Sequence, residues 1–496
     1  MASSAIAGSA MAGYGRLGSR RGVCSLGLAA ICFGLALSAC APGSTESSGP
    51  PGGSPIPLGS TLLPQPAYIP GPFALIPQPL PDPASVMARP YPGYPVYGLY
   101  AYLESYEKYR QDVLDVGWRF FRIGGPITDE DMLLLMEDDV EASFHVAGGK
   151  PVTEFPTEGA FLSAAEQQTV STLARYGPGG SFFSLYPHFS SKHIKYVHIW
   201  NEPNFQYLIP GSTTSPAIQK QKAALYGKLL RRLSRVIRNR WPSVTILGFD
   251  TGRASSSGTD FIADVYAFYP DLHGEYDILA THPGVDPVPP ETDFVEGSGN
   301  YSMARHAESI RNILGPFGGP KPIWFTEAGW EISYFNGGLF QNNPEESVSP
   351  LLQAAYVCRY YAMALRLGVD RVTPFFIVDA DGMNGGFFDD VSLQWRPSAY
   401  AVKEMIAAMP RPKLIEVVKD GEDGAFVYRF LADASSPSGD SVIMAWNVGG
   451  PKTIAIDLKA TNVQVTDMLG ATETANGTGT YQVDVGPCPV YIEEMQ

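Results

Sequence analysis

The chain has 496 residues, 45% apolar and 12% aromatic, enough for one large domain or two smaller ones. Its 50 acidic and 35 basic residues leave a formal charge of −15, which disfavours nucleic acid and strongly anionic polymers as partners. With no C-x-x-C pair, histidine cluster, nucleotide-binding loop or Ser/Cys nucleophile arrangement in the chain, no cofactor and no metal are expected.

Residues 1–39 read as an export signal. Arg16, Arg20 and Arg21 form a basic start, and the apolar run 23–37 is too short for a permanent span. The run ends in Leu37-Ser38-Ala39-Cys40, which resembles a bacterial lipobox. Cleavage before Cys40 would leave its thiol to carry a lipid and shift the charge from −15 to −18. That places the protein outside the cytoplasm on a bacterial membrane (the outer membrane where one exists). The alternative is an ordinary secretory signal. Residues 40–92 hold 15 of the 43 prolines and few charges, the composition of a semi-extended tether, although 68–76 is apolar enough to lie against a folded body.

From 93 to 410 short apolar runs alternate with helical patterns. The runs are 96–100, 118–123, 140–146, 196–200, 244–249, 276–280, 323–326 and 372–378. Between them, 106–116 and 220–238 read as helices, the second with Leu225, Leu229, Leu230, Leu233 and Ile237 spaced for one buried face. Eight strands alternating with helices predict an α/β fold of the (β/α)8 TIM barrel class. A doubly wound sheet competes, but the Gly-rich first turn it favours is missing. Residues 411–496 change to seven short strands separated by Gly, Asn, Asp and Ser, which predicts a small C-terminal β-sandwich. Cys358 and Cys488 fall in different predicted domains and are expected as two buried thiols rather than a disulfide.

Two strand ends carry the chemistry. Glu202 follows the fourth run in Trp200-Asn201-Glu202-Pro203-Asn204, and Glu327 follows the seventh in Thr326-Glu327-Ala328-Gly329. Side chains at the C-terminal ends of barrel strands point into one mouth, so these two carboxylates should face one another there. A carboxyl pair across a small gap is what glycosidic cleavage needs: one protonates the leaving oxygen, and the other attacks or supports the sugar centre. A separation of about 5–5.5 Å serves retention of configuration, and about 6.5–9.5 Å serves inversion.

These two signatures resemble those of the clan A glycoside hydrolases, and with the trailing sandwich are similar to family 39 and the bacterial exopolysaccharide glycosidases related to it. The resemblance implies that Glu202 is the acid/base and Glu327 the nucleophile of a retaining mechanism. It further implies that Asn201 contacts the sugar 2-hydroxyl and that Arg122, ending the second strand, holds the nucleophile ionised. A cation beside Glu327 is expected to lower its pKa, and the resulting anion to raise that of Glu202. His282, ending the sixth strand, either orients Glu327 or is a satisfied histidine. His145 at the third strand is open in the same way, and His198 reads as structural. The chain departs from many clan relatives in lacking a tyrosine after His282 and a tryptophan ending the eighth strand, where Phe375, Phe376, Val378 and Asp379 stand. Among Trp200, Trp330, Tyr334 and Phe335, stacking on a sugar ring is favoured for Trp330 alone. The stretch 335–350 is expected to overhang the cleft. The expected partner is an oligo- or polysaccharide, with a non-catalytic glycan-binding lipoprotein or a transglycosylase as alternatives.

Overall fold

The computed structural model describes Ile56–Pro57 and residues 80–495, except 206, 212–214, 253–255, 297–298, 333–346, 381–382, 437–438, 459 and 477–478. The signal, Cys40, most of the proline-rich stretch, Tyr334 and Phe335 lie outside the described residues.

Eight parallel strands form the barrel: β1 (Leu99–Ala101), β2 (Phe120–Ile123), β3 (Glu141–Ala147), β4 (Tyr196–Ile199), β5 (Thr245–Thr251), β6 (Ile278–Thr281), β7 (Ile323–Phe325) and β8 (Arg371–Val372). Each pairs with the next in chain order. The ring is closed by a parallel bridge from Tyr97 to Val372 and by Tyr100 N donating to Pro374 O at 2.8 Å. The eighth strand is far shorter than the run 372–378 suggested. Pro374 cannot donate to a ladder, and Phe375 N turns aside to bond Ala328 O at 2.9 Å.

A helix follows every strand: α1 (Leu103–Val116), α2 (Asp129–Glu137), α3 (Glu158–Tyr176), α4 (Pro216–Arg240), α5 (Ser256–Phe268), α6 (Met303–Leu314), α7 (Pro350–Arg366) and α8 (Pro397–Ala408). Thr128, Thr157, Ser302 and Ser349 each accept a backbone N–H at the start of α2, α3, α6 and α7, which fixes where the chain leaves its loop. On α4 the predicted stripe Leu225, Leu229, Leu230, Leu233 and Ile237 is buried to 4% exposure or less. Burying each such side chain stabilises the fold by roughly 1.5–3 kcal/mol.

The C-terminal region packs two sheets face to face. One orders β9 (Lys413–Asp420), β10 (Ala425–Leu431), β11 (Ser441–Asn447), β16 (Val490–Met495), β13 (Asn462–Asp467) and β14 (Thr472–Asn476); the other pairs β12 (Lys452–Leu458) with β15 (Gly479–Val485). Val427, Ile443, Val465 and Ile492 from the first meet Ile454, Ile456, Val483 and Val485 from the second in one core. The backbone of Ile56–Pro57 adds to β15 in parallel. Helix α7 joins barrel to sandwich: Arg366 pairs with Asp420 at 2.6 Å, and buried Arg359 bonds Glu291 and, at 3.2 Å, Pro487 O. Cys358 on α7 and Cys488 are both buried as thiols.

Candidate active site

The barrel mouth gathers charged side chains from six successive strand ends. Arg122 lies in β2, His145 in β3, Asn201 and Glu202 just past β4, Asp250 in β5, His282 just past β6 and Glu327 two residues beyond β7. Arg122 is fully buried; it donates to Glu327 Oε1 through Nη1 at 2.5 Å and to Asn201 Oδ1 through Nη2 at 2.6 Å. The Tyr100 ring lies under its guanidinium, 4.6 Å from the centroid. His282 Nδ1 is 3.1 Å from Glu202 Oε1 and 3.6 Å from Glu327 Oε2. One carboxylate oxygen of each glutamate and one ring nitrogen of His282 lie within 4.8 Å of one another.

Behind this front stands Asp250. Its carboxylate accepts from Thr326 Oγ1 at 2.6 Å, contacts His198 Nδ1, and lies 3.4 Å from His145 Nε2, 3.4 Å from His282 Nε2 and 3.7 Å from Arg122. His198 is anchored at its other nitrogen by Ser143 Oγ at 2.9 Å. Of the seven non-glycine residues with positive φ among the described residues, Trp200, Glu202, Phe249 and Asp250 stand at the ends of β4 and β5. Such conformations cost of order 1–3 kcal/mol each and persist where the surroundings over-determine them, as in functional sites.

The electrostatics follow from burial set against these contacts. Burial alone would drive the His282 imidazole down, but the Glu327 carboxylate and hydrogen bonds to Asp250 and Glu202 lift it to about 9. Burial pushes Glu327 above the usual carboxylate range, against the cations His282 and Arg122, and the Glu202 charge adds to the rise. The expectation that a neighbouring cation would set Glu327 low therefore omitted the larger effect. Burial also opposes the Asp250 charge, yet His198 and Arg122 hold that group well below its usual range. Burial and the Arg122 charge bring His145 down to about 3, and burial lowers His198. Two donor sets, His145/His198/Asp250 and Glu202/His282/Glu327, are compact enough for a cation. Arg122 touches both, and its guanidinium already supplies the positive charge a metal would bring.

No protein-family model and no curated protein matches the chain. Solved structures do. A monomeric beta-xylosidase from Caulobacter crescentus CB15 is 14% identical, with 82% of this chain and 97% of that one covered at a TM-score of 0.50. A family 51 alpha-L-arabinofuranosidase from Bifidobacterium longum is 12% identical, covering 82% and 98% at 0.53. The GH39 enzyme from Xanthomonas axonopodis pv. citri is 10% identical, covering 83% and 96% at 0.51. The chain shares their fold. The clan A likeness seen in the two strand-end motifs thus extends to the barrel and the trailing sandwich.

Of the residues singled out from sequence, Glu202, Glu327, Asn201, Arg122, His282 and His145 meet in this one cluster. Trp330 does not. It is 1% exposed, donates Nε1–H to Val288 O at 2.9 Å and packs edge-on against Tyr356 and Tyr360, so neither ring face is open to a sugar. Trp200 is likewise 2% exposed against Phe161. Sequence reasoning missed Asp250. The apolar run 244–249 stops two residues short of the end of β5 at Thr251, and Asp250 lies in that stretch; an acid at the end of an apolar run is the same signal that marks the glutamates.

Proposed function

We propose that the chain is a retaining glycoside hydrolase in which Glu327 attacks the anomeric carbon and Glu202 serves as acid/base. The observation that carries this reading is that one oxygen of each carboxylate, with one ring nitrogen of His282, lies within 4.8 Å of the others at the ends of β4 and β7, which lets both acids reach one glycosidic centre. In the first step Glu327 forms an ester to the sugar while Glu202 passes its proton to the leaving oxygen. In the second, water enters, Glu202 takes its proton, and the ester is cleaved with a second inversion. Arg122, bonded to both Glu327 and Asn201, fixes the nucleophile relative to the amide proposed to meet the 2-hydroxyl. His282 bridges the two carboxylates and His145 backs Arg122; no cofactor enters.

The substrate class is an oligo- or polysaccharide, supported by the glycosidase neighbours with the same fold. An extracytoplasmic station, with Cys40 lipidated, residues 1–39 removed and 40–92 as a tether to a barrel over 93–410 and a sandwich over 411–496, is supported by the lipobox-like sequence and composition. Aryl β-D-xylosides, α-L-arabinofuranosides and β-D-glucosides form the first panel. On the sugar that is cleaved, proton NMR should show a first-formed product of unchanged anomeric configuration, and Glu327→Gln should lower kcat by at least ~10^3-fold. Inverted product, or a Glu327→Gln variant as fast as the parent, rules the mechanism out.

A further inference from the structure

The motif at the end of β4 supplies Asn201 and Glu202 to the site and leaves Asn204 without a part. Asn204 is 1% exposed, and its side chain closes a reciprocal pair of hydrogen bonds with one residue just past β5. Gly252 N donates to Asn204 Oδ1 at 2.9 Å, and Asn204 Nδ2 donates to Gly252 O at 2.9 Å. The Asn204 carbonyl accepts from Gln219 Nε2 at 2.9 Å and from the fully buried Lys222 Nζ at 3.2 Å, both on α4. The end of β5 and helix α4 therefore converge on this one residue.

Gly252 in turn abuts the acid. A Cβ there would lie 2.2 Å from Glu202 Oε1 and 2.1 Å from Phe205 Cε2, closer than any real contact, so the glycine surface forms one wall of the Glu202 carboxyl. Glu202 itself holds a φ of +43°, with its N–H bonded to Asp250 O at 3.0 Å and its carbonyl accepting from Phe205 N at 2.9 Å. A turn of this kind needs outside support to stay populated. The Asn204–Gly252 amide pair supplies it by lacing the turn to the end of β5.

We propose that Asn204, acting through Gly252, is a positioning residue that aims the Glu202 carboxyl at the leaving-group oxygen. This rests on the reading of Glu202 as acid/base. Asn204→Leu keeps the number of side-chain heavy atoms and removes both amide bonds; Gly252→Ala presses directly on the carboxyl and leaves the Asn204 side chain unchanged. A displacement of about 1 Å at a reacting group costs on the order of 10^2-fold in rate.

The test compares kcat/KM on the 2,4-dinitrophenyl and the phenyl glycoside of the sugar cleaved by the parent, with Glu202→Ala as the benchmark and thermal unfolding as the check on folding. The first leaving group departs without protonation and the second needs it. Either folded variant should lose roughly 10^2-fold on the phenyl glycoside and less than about 3-fold on the dinitrophenyl one, the same contrast as Glu202→Ala. Equal losses on both substrates, or no loss on either, in the folded variants overturn the proposal while Glu202→Ala keeps its contrast. No contrast in Glu202→Ala itself also removes the proposal, and there the acid/base reading is what has failed.

Discussion

Arg122 shows how one side chain sets the chemistry of several. Fully buried between Asp250 and Glu327, it is a cation that the protein interior tolerates only because anions lie on two sides of it. Burial raises the Glu327 pKa, and Arg122 and His282 oppose that rise. Removing Arg122 therefore takes away part of the opposition. Arg122→Met should move the acid limb of the kcat/KM profile to higher pH, besides lowering its plateau, because a higher pH is then needed to ionise Glu327, the proposed nucleophile. A limb that stays in place, or moves to lower pH, would show that Arg122 does not govern Glu327. Trp330 makes the opposite point, since a tryptophan three residues after Glu327 reads as a sugar platform until its ring is found enclosed by Tyr356 and Tyr360.

Among elements, legibility followed the strength of the local pattern. Helix α4 announces itself through five apolar residues at helical spacing, and the structure buries all five. The seven strands expected in the sandwich are all present. The strand the pattern missed, β14, reads Thr-Glu-Thr-Ala-Asn; it is an edge strand with Ala475 alone turned into the core, so alternation leaves almost no apolar signal. β8 erred the other way: an apolar run to 378 looks like a long strand, while bonding to the neighbouring strands continues past β8 only through Thr373 N to Phe325 O and Tyr100 N to Pro374 O. The candidate site was legible where one motif holds a whole strand end, as at Glu202 and Glu327. At Asp250 the local pattern carries an acid at the end of an apolar run but not its part in the site, because its partners come from β2, β3, β4, β6 and the end of β7 and are brought together by barrel closure alone.

On the scale of the whole molecule, buried histidines tie stability to pH. Burial holds His306 down to about 3, as burial with Arg122 holds His145, and burial lowers His198 as well. In the unfolded chain these groups take up protons near pH 6.5. For His306 and His145 the unfolded state therefore binds more protons between 6.5 and about 3, and stability falls as pH falls, by on the order of 1.4 kcal/mol per pH unit for each of the two. His282 runs the other way: raised to about 9, its contribution is complete below 6.5 and lost as pH rises through 9. His306 sits on α6 against Thr281 Oγ1 at 2.8 Å, outside the set of reacting groups. Denaturant unfolding from pH 7 to pH 4 should show a steep loss for the parent and a shallower one for His306→Gln. Identical slopes would mean that the imidazole is not kept neutral by burial.

The proposed double displacement requires Glu327 to become covalently bound to sugar. A 2-deoxy-2-fluoro glycoside of the cleaved sugar, with a dinitrophenyl leaving group, slows the second step more than the first and lets the ester accumulate. Peptide mass mapping of the inactivated protein should place one sugar on the peptide carrying Glu327, with none on Glu327→Gln. Turnover without any adduct, or an adduct on a different carboxylate, would contradict it.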